Sequence, residues 1–346
     1  MKKLFYLLLI NLTFLIGQNN VATTSAAFLE IGAGARSLGM GGAFVSVAND
    51  ASSMYWNPAG IVNVNTVNLE NYYAPWLVET DYYYSTAIVP MGNIGNIGVS
   101  YTAITMDEML VRTVDDPEPD IYGQKFDAGN LALGLAYAKK ITDQFSFGIK
   151  SKYIQEKIWQ MQATGYAVDI GTLFVTKSKI RVGMSISNFG GKLGMEGINT
   201  LVDIDIDETI YGNNDRIDGY LDASKWPLPL IFRFGLSKEF LANDYFKFLL
   251  SADAIHPNNN PEYLNVGAEI SAMDLLFLRL GKSHFLYRQK FVEDGSSVII
   301  EHEQGFSLGA GLKYQIPRGP MLIVDYVLMN YGVFKNISGY SVKLSF

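Results

Sequence analysis

The 346-residue sequence contains no cysteine, which excludes a disulfide framework, a thiolate metal site and a cysteine nucleophile. Charged residues are also scarce, at 18% of the chain against about 25% in an average soluble protein. The formal net charge is -7, whereas a nucleic-acid-binding protein presents a basic surface, so nucleic acid is not expected as a partner. After residue 17, no apolar stretch reaches the roughly 20 residues that a transmembrane helix needs.

The N-terminus has the pattern of a secretory signal peptide. Lys2 and Lys3 precede an uncharged apolar run over residues 4–17, which is too short to span a bilayer. We predict a signal peptide over residues 1–17, with cleavage after Gly17 or as late as about Ala26; the alternative is a membrane anchor or a buried helix. An exported chain of this composition is periplasmic, secreted or an outer-membrane barrel.

From about residue 67 onward, large apolar residues alternate with small or polar ones. The segments LALGLAYA (131–138), FSFGIK (145–150) and FSLGAGLKY (306–314) each show this period of two, which is that of a β-strand. The apolar face could pack on a second sheet in a soluble sandwich, or face lipid around a transmembrane barrel. Segments of ten residues or more, with aromatic residues clustered at their ends, favour the barrel.

We therefore predict an all-β fold, a transmembrane antiparallel β-barrel of about 14 strands over residues 67–346. The strands are expected near residues 67–74, 82–91, 94–105, 126–140, 144–158, 163–177, 179–188, 227–240, 244–256, 262–273, 275–285, 304–316, 319–330 and 337–346. Short connections alternate with long ones, of which the longest are residues 106–125, 189–226 and 286–303, as in barrels with short periplasmic turns and long outer loops. Phe346 ends the last strand and resembles the C-terminal aromatic residue that barrels present to their assembly machinery.

No enzymatic or metal site is expected. The glycine-rich run GAGARS (32–37) has serine where the third glycine of a dinucleotide fingerprint belongs, and no strand precedes it. His256, His284 and His302 lack the spacing of a zinc site, and we expect them to be solvated loop residues. A catalytic triad is defined only in space, and nothing in the sequence nominates a serine for it. No cofactor is expected.

Acidic residues concentrate in two long connections, at residues 115–120 and 202–222. Asp203, Asp205 and Asp207 share one face of an extended stretch, and Asp215 and Asp218 follow. Carboxylates of this density are candidate loop docking or cation contacts, since calcium takes six to eight oxygen ligands. The alternative is a solvated acidic loop.

Residues 28–60 carry a recognisable signature. The motifs are Ala35-Arg36, GMGGA (39–43), NDAS (49–52) and WNPAG (56–60), followed later by ISNFGGKLGMEG (186–197) and WPLPLIFRFGLS (226–237). This pattern resembles the PorV/PorQ family of outer-membrane barrels, which is related to the FadL-type long-chain fatty acid transporters. The resemblance implies a fourteen-stranded barrel whose N-terminal segment, residues 18–66, folds inside the lumen as a plug. Its plug and turn residues would be Arg36, Gly39, Gly41, Gly42, Asn49, Asp50, Trp56, Asn57, Pro58 and Gly60.

The resemblance implies two functions. The first is an accessory, cargo-docking role in type IX protein secretion, in which the long loops bind secretion components or the C-terminal domains of cargo proteins. The second is a FadL-like channel for hydrophobic small molecules such as long-chain fatty acids, with a lumen pocket lined by Phe28, Leu29, Phe44, Met54 and Tyr55. Both place the protein in the lipid of the outer membrane.

Overall fold

A computed structural model describes residues 23–205, 209, 217–241, 245–293, 296–301 and 305–346. The predicted signal peptide, together with Asp207, Asp215 and His302, lies outside these residues. None of the helices in the described ranges is both long and apolar enough to cross a membrane.

Among the described residues, fourteen long antiparallel strands pair in a closed ring. They are β1 (Asn68–Pro75), β2 (Thr80–Pro90), β3 (Asn96–Met106), β4 (Ala128–Lys140), β5 (Phe145–Ile158), β6 (Met161–Val175), β7 (Ile180–Gly190), β8 (Ile231–Leu241), β9 (Phe246–Pro257), β10 (Tyr263–Ala272), β11 (Leu276–Phe285), β12 (Phe306–Gln315), β13 (Met321–Asn330) and β14 (Asn336–Ser345). Each strand pairs with its sequence neighbours, and β14 closes on β1 with Tyr340 opposite Tyr73. Because the ring has no free edge, every strand's backbone groups find partners within the bilayer. The predicted all-β barrel of about 14 strands is confirmed.

The alternation of side chains follows the predicted faces. Leu135 is 59% exposed on the outside, whereas the next residue, Ala136, is 1% exposed and faces inward. The same alternation holds in the other strands, so the large apolar side chains form an outer belt and the small or polar ones line the interior.

One strand begins later than the sequence pattern predicts. The segment expected at 227–240 forms β8 only from Ile231 onward, because Trp226 and Pro227 pair instead with Lys192 and Leu193 in a separate short ladder. Pro227 and Pro229 have no backbone N–H to donate to a continuous barrel strand.

The long connections contain hairpins of their own. Short ladders join Met109–Leu110 to Lys125–Phe126, Leu201–Ile204 to Ile217–Tyr220, and Arg288–Glu293 to Ser296–Glu301, while Glu196–Gly197 extends the edge of β6. All of these lie at one end of the barrel, and the short turns lie at the other. Two 3₁₀ turns, Ile198–Thr200 and Gly332–Phe334, lie at the long-loop end, and a third, Gly92–Ile94, lies in a short turn.

The N-terminal segment (residues 23–66) is compact and mostly without strands. It contains two short α-helices, α1 (Ala35–Gly39) and α2 (Ser53–Trp56), and 3₁₀ helices at Ala27–Glu30 and Pro58–Asn63. Gly34, Gly41 and Gly42 flank α1 with φ angles of 89°, 66° and 73°, a left-handed region that residues with a side chain rarely adopt. The glycine-rich sequence thus allows sharp reversals around a single helical turn.

Candidate functional site

The N-terminal segment contacts two opposite groups of barrel strands. Helix α1 packs against β11, β12, β13 and β14, and the 3₁₀ helix Pro58–Asn63 packs against β3, β4, β5 and β6. Met40, Phe44, Met54 and Ile61 of this segment are all completely buried. These side chains therefore pack closely between the segment and the strands.

Glycines of the wall allow the segment's backbone to approach closely. A β-carbon built on Gly281 of β11 would overlap the backbone nitrogen of Gly41, and one built on Gly183 of β7 would overlap the carbonyl of Val45. A β-carbon built on Gly39 would lie 3.1 Å from the Cα atom of Gly309 on β12. The small residues that alternate with large ones in the strands are thus the ones that seat the segment.

Arg36 is the centre of an ionic contact between segment and wall. Its Nε and Nη2 donate to the two carboxylate oxygens of Glu269 on β10, at 2.9 and 2.8 Å. Its Nη1 donates to Asn49 Oδ1 at 2.7 Å and to Asp50 Oδ2 at 3.2 Å. Such two-pronged pairing uses the planar fork of arginine, which lysine cannot reproduce.

The wall extends this contact into a network. Arg279 of β11 donates to Glu269 at 2.7 Å and to Asp325 of β13 at 2.6 Å. Lys343 of β14 donates to Asp50 at 2.9 Å and lies 3.4 Å from Asp325. Glu70 of β1 joins through Ser341 and Lys343, so that three cations and four carboxyl groups converge. Because removing one member leaves a buried charge unpaired, the network locks the segment in place.

The network includes Asn49 and Asp50, which the sequence analysis predicts as plug and turn residues. It also includes residues that the sequence analysis does not predict as part of a site. Glu269, Arg279, Asp325 and Lys343 are buried charged residues on the small or polar, inward-facing side of their strands. In the sequence, these four residues are charges on the small or polar face of their segments. The alternation alone does not show which of them contact each other.

The pKa of Asp50 is held well below its ordinary value: burial alone would raise it, but the nearby charges of Lys343 and Arg36 outweigh that effect. A carboxyl group with a lowered folded-state pKa stabilises the fold above its ordinary pKa of about 4 and loses that contribution as the pH falls toward the folded-state value. The stabilisation by Asp50 is therefore present at neutral pH and is lost only in strong acid.

We expect Asp50→Asn to lower the amide-exchange protection factors of residues 36–50 at pH 7, and to lessen the further loss of protection as the pH falls below about 4, after correction for the intrinsic pH dependence of exchange. Asp143→Asn, at an exposed turn, should leave both the exchange and its pH dependence unchanged. Equal pH dependence in the wild type and Asp50→Asn would contradict this role for Asp50.

The WNPAG motif forms the second anchor. Trp56 Nε1 donates to the Ala33 carbonyl at 2.9 Å, and Asn57 Nδ2 donates to the carbonyls of Val45 at 2.9 Å and of Thr172 on β6 at 3.0 Å. Asn57 Oδ1 accepts from Ala59 N and so caps the 3₁₀ helix that begins at Pro58. A β-carbon on Gly60 would lie 2.5 Å from the Ala48 carbonyl oxygen. The motif thus binds parts of the N-terminal segment to each other and also binds the segment to the wall.

The five residues expected to line an apolar lumen pocket are divided among three clusters, although Tyr55 packs beside Phe44 and lines a small cavity together with Leu29. Phe28 and Leu29 pack with residues of β4–β6, Phe44 packs with Met40 and Trp56, and Met54 packs with Ile61 in a third cluster. Tyr55 donates its hydroxyl to the Leu29 carbonyl at 3.1 Å and borders a cavity. The structure does not bring the five together around one space.

That cavity, of about 240 Å³, lies at the long-loop end of the barrel above the N-terminal segment. Its lining includes Glu30, Tyr55, Trp56, Arg233, Tyr263 and His284. His284 is partly exposed and lies near the end of β11 rather than in a loop, and its ring stacks on Tyr263 with 4.3 Å between centroids. His256 is exposed and bonds Glu262 at 2.8 Å. Burial raises the pKa of Glu30, against the opposing effects of its bond with Asn259 and of the Arg233 charge.

The acidic loop residues do not gather into a ligand set. Asp203 lies opposite Asp218 in the Leu201–Ile204/Ile217–Tyr220 hairpin, and both are exposed, as is Asp205. Within the described ranges, no three or more His, Asp or Glu residues come together as a metal site. A docking or cation contact at this hairpin stays a prediction.

Comparison with known proteins places this architecture in a family. A sequence model described as type IX secretion system protein PorV matches residues 15–200, more than half of the chain. Among solved structures, the toluene transporter TodX of Pseudomonas putida is 11% identical with a TM-score of 0.51, covering 90% of this chain and 96% of that one. The monoaromatic hydrocarbon channel CymD is 13% identical with a TM-score of 0.51, covering 91% and 98%. No curated protein matches.

The two structural similarities concern the fold, since the identities are low. They agree with a closed β-barrel, and the sequence match covers the N-terminal segment and β1–β7. The chain therefore belongs to the PorV family and is an outer-membrane β-barrel.

Proposed function

We propose that this protein is an accessory component of type IX protein secretion that docks cargo or secretion partners on its long-loop end. The observation that carries the proposal is the attachment of the N-terminal segment to two opposite groups of strands by ionic and side-chain hydrogen-bond contacts. In this proposal residues 18–66 are a plug that stays in place, and the functional surface is outside the pore.

Opening the lumen would be costly. It would break the contacts of Arg36 and Lys343 with their carboxylates, and disrupting one buried ion pair by removing a partner costs about 3–5 kcal/mol. It would also expose the apolar residues that surround Phe44 and Met54. A sealed barrel that keeps long, structured loops is better suited to binding macromolecules than to conducting solutes.

The long loops present apolar side chains to solvent beyond the barrel strands. Val114 and Tyr122, in the loop between β3 and β4, are 99% and 90% exposed. Tyr220 and Leu221 are exposed at the hairpin in the loop between β7 and β8, next to Asp203 and Asp218. Exposed apolar residues within a polar rim are the composition of a protein-docking surface.

A second candidate function is a FadL-like channel for hydrophobic small molecules. The cavity of about 240 Å³ at the long-loop end favours it, since Tyr55, Trp56 and Tyr263 give it an aromatic lining. In this case the cavity would be an entry site and the N-terminal segment would have to move.

Co-purification of the tagged protein from its native outer membrane tests the first function. We expect it to recover type IX components or cargo C-terminal domains, and Val114→Ser/Tyr122→Ser to reduce the recovery about tenfold, as for the loss of contacts worth 1–2 kcal/mol. The matched control is Ile94→Ser/Ile141→Ser, which removes two exposed apolar residues from the short-turn end and should leave recovery unchanged.

Docking is contradicted if the tagged protein recovers no more secretion components than an untagged control strain does. If deletion of the gene in the same strain abolishes uptake of a labelled long-chain fatty acid, the channel function replaces the docking function.

A further inference from the structure

A second group of buried charges lies between the N-terminal segment and the opposite part of the wall. Lys150 and Lys152 of β5, Asp169 of β6 and Arg233 of β8 are each at most 6% exposed. Together with Ser100 of β3 they line a small cavity of about 20 Å³. This group shares no member with the Arg36 network.

The charges in this group do not balance. Asp169 is paired with Lys152 at 2.7 Å and also accepts a hydrogen bond from the backbone N–H of Asn188 at 2.7 Å. Neither Lys150 nor Arg233 forms an ion pair with any described carboxylate. Lys150 and Arg233 therefore have no carboxylate within ion-pair distance, and Asp169 acts on Lys150 only through longer-range electrostatics.

Both cations have weak partners only. Lys150 Nζ donates to the Met54 carbonyl at 3.1 Å. Arg233 Nη1 donates to Ser187 Oγ at 2.9 Å, and its guanidinium lies over the Tyr55 and Trp56 rings at 5.6 and 5.7 Å. Glu30 and Asp253 interact with Arg233 electrostatically, but from beyond ion-pair distance.

A hydroxyl without a partner borders the same cavity. Ser100 Oγ is buried and has no hydrogen-bond partner among the described residues. A β-carbon on Gly134 of β4 would overlap both this hydroxyl and the Lys150 side chain. The glycine thus keeps open the space where an ammonium and a hydroxyl converge, and burying either without a partner costs free energy.

We propose that this cavity binds a small monovalent inorganic anion of the halide class, such as chloride. Lys150, Arg233 and Ser100 supply its donors, and the volume suits one ion of about the size of a water molecule rather than a phosphate or a carboxylate lipid. Because Lys150 holds Met54 and Arg233 lies on Tyr55 and Trp56, the anion would strengthen the seat of α2 on the wall.

The test compares thermal unfolding of the full barrel in detergent in sodium chloride, sodium bromide and sodium gluconate at equal ionic strength. We expect both halides to raise Tm relative to gluconate, as a ligand of the folded state does. Lys150→Met should abolish the difference between salts, whereas Lys139→Met, at an exposed site on the neighbouring strand β4, should keep it.

Ser100→Ala is a milder variant that should fold. The halide concentration that gives half of the maximal Tm increase should be about tenfold higher in this variant than in the wild type. Crystals soaked in bromide should give an anomalous peak between Lys150, Arg233 and Ser100. The proposal is overturned if the wild type shows no difference between halide and gluconate, or if the peak is missing; Lys150 would then be held uncharged.

Discussion

Arg36→Met is expected to release the N-terminal segment from the wall and to destabilise its docking by about 3–5 kcal/mol. The substitution leaves Glu269 and Asp50 buried with one cation fewer, so the cost includes two carboxylates that have lost a partner. Limited proteolysis and amide hydrogen exchange over residues 23–66 would report the release, while the strands of the barrel should stay protected.

Two further variants define what the contact requires. Arg36→Lys keeps the charge but cannot form the two-pronged pair with Glu269, and should recover only part of the protection. Lys157→Met removes an exposed ion pair with Asp127 and should cost less than about 1 kcal/mol. If Arg36→Met behaves like Lys157→Met, the ionic network does not hold the segment.

Gly281→Val is expected to displace the segment by steric overlap alone. The new β-carbon would coincide with the backbone of Gly41 and Met40, and neither backbone can rotate away as a side chain could. Valine suits a strand, so β11 should still form, and the overpacking cost of about 1–3 kcal/mol or more should fall on the contact. Hydrogen-exchange protection of residues 40–44 should drop about tenfold.

The control for this prediction is Gly191→Ala, since a β-carbon there meets nothing within 4 Å. Heat-dependent gel migration would show whether both variants keep a folded barrel. Unchanged protection of residues 40–44 in Gly281→Val, with the barrel intact, would show that this glycine is not needed for docking.

The strands could be predicted because their physical cause is local. A period of two, set by the pleat and by lipid outside, places Leu135 outward and Ala136 inward without reference to any distant residue. For the hairpin of Leu201–Ile204 with Ile217–Tyr220, the alternation around Asp203 and Asp205 indicates an extended stretch, but it does not identify the partner strand.

A different reason prevents prediction of the network around Arg36 from the sequence. Arg36 and Glu269 are 233 positions apart, and they meet only because the ring closes at a particular register. The sequence indicated an inward face for Glu269 and a turn for Asn49 and Asp50. The pairing between them depends on the diameter of the barrel and on where α1 lies within it.

The position of α1 also constrains the order of assembly. The Ala35 backbone N–H bonds Ser341 Oγ, and Asp50 bonds Lys343, so residues near the start of the described chain are held by its final strand. The N-terminal segment cannot form these contacts until β14 is in place. Contacts of such long sequence separation form late and slowly. Closure of β14 on β1 and seating of the N-terminal segment are therefore coupled, and a chain that lacks its last strand would expose that segment.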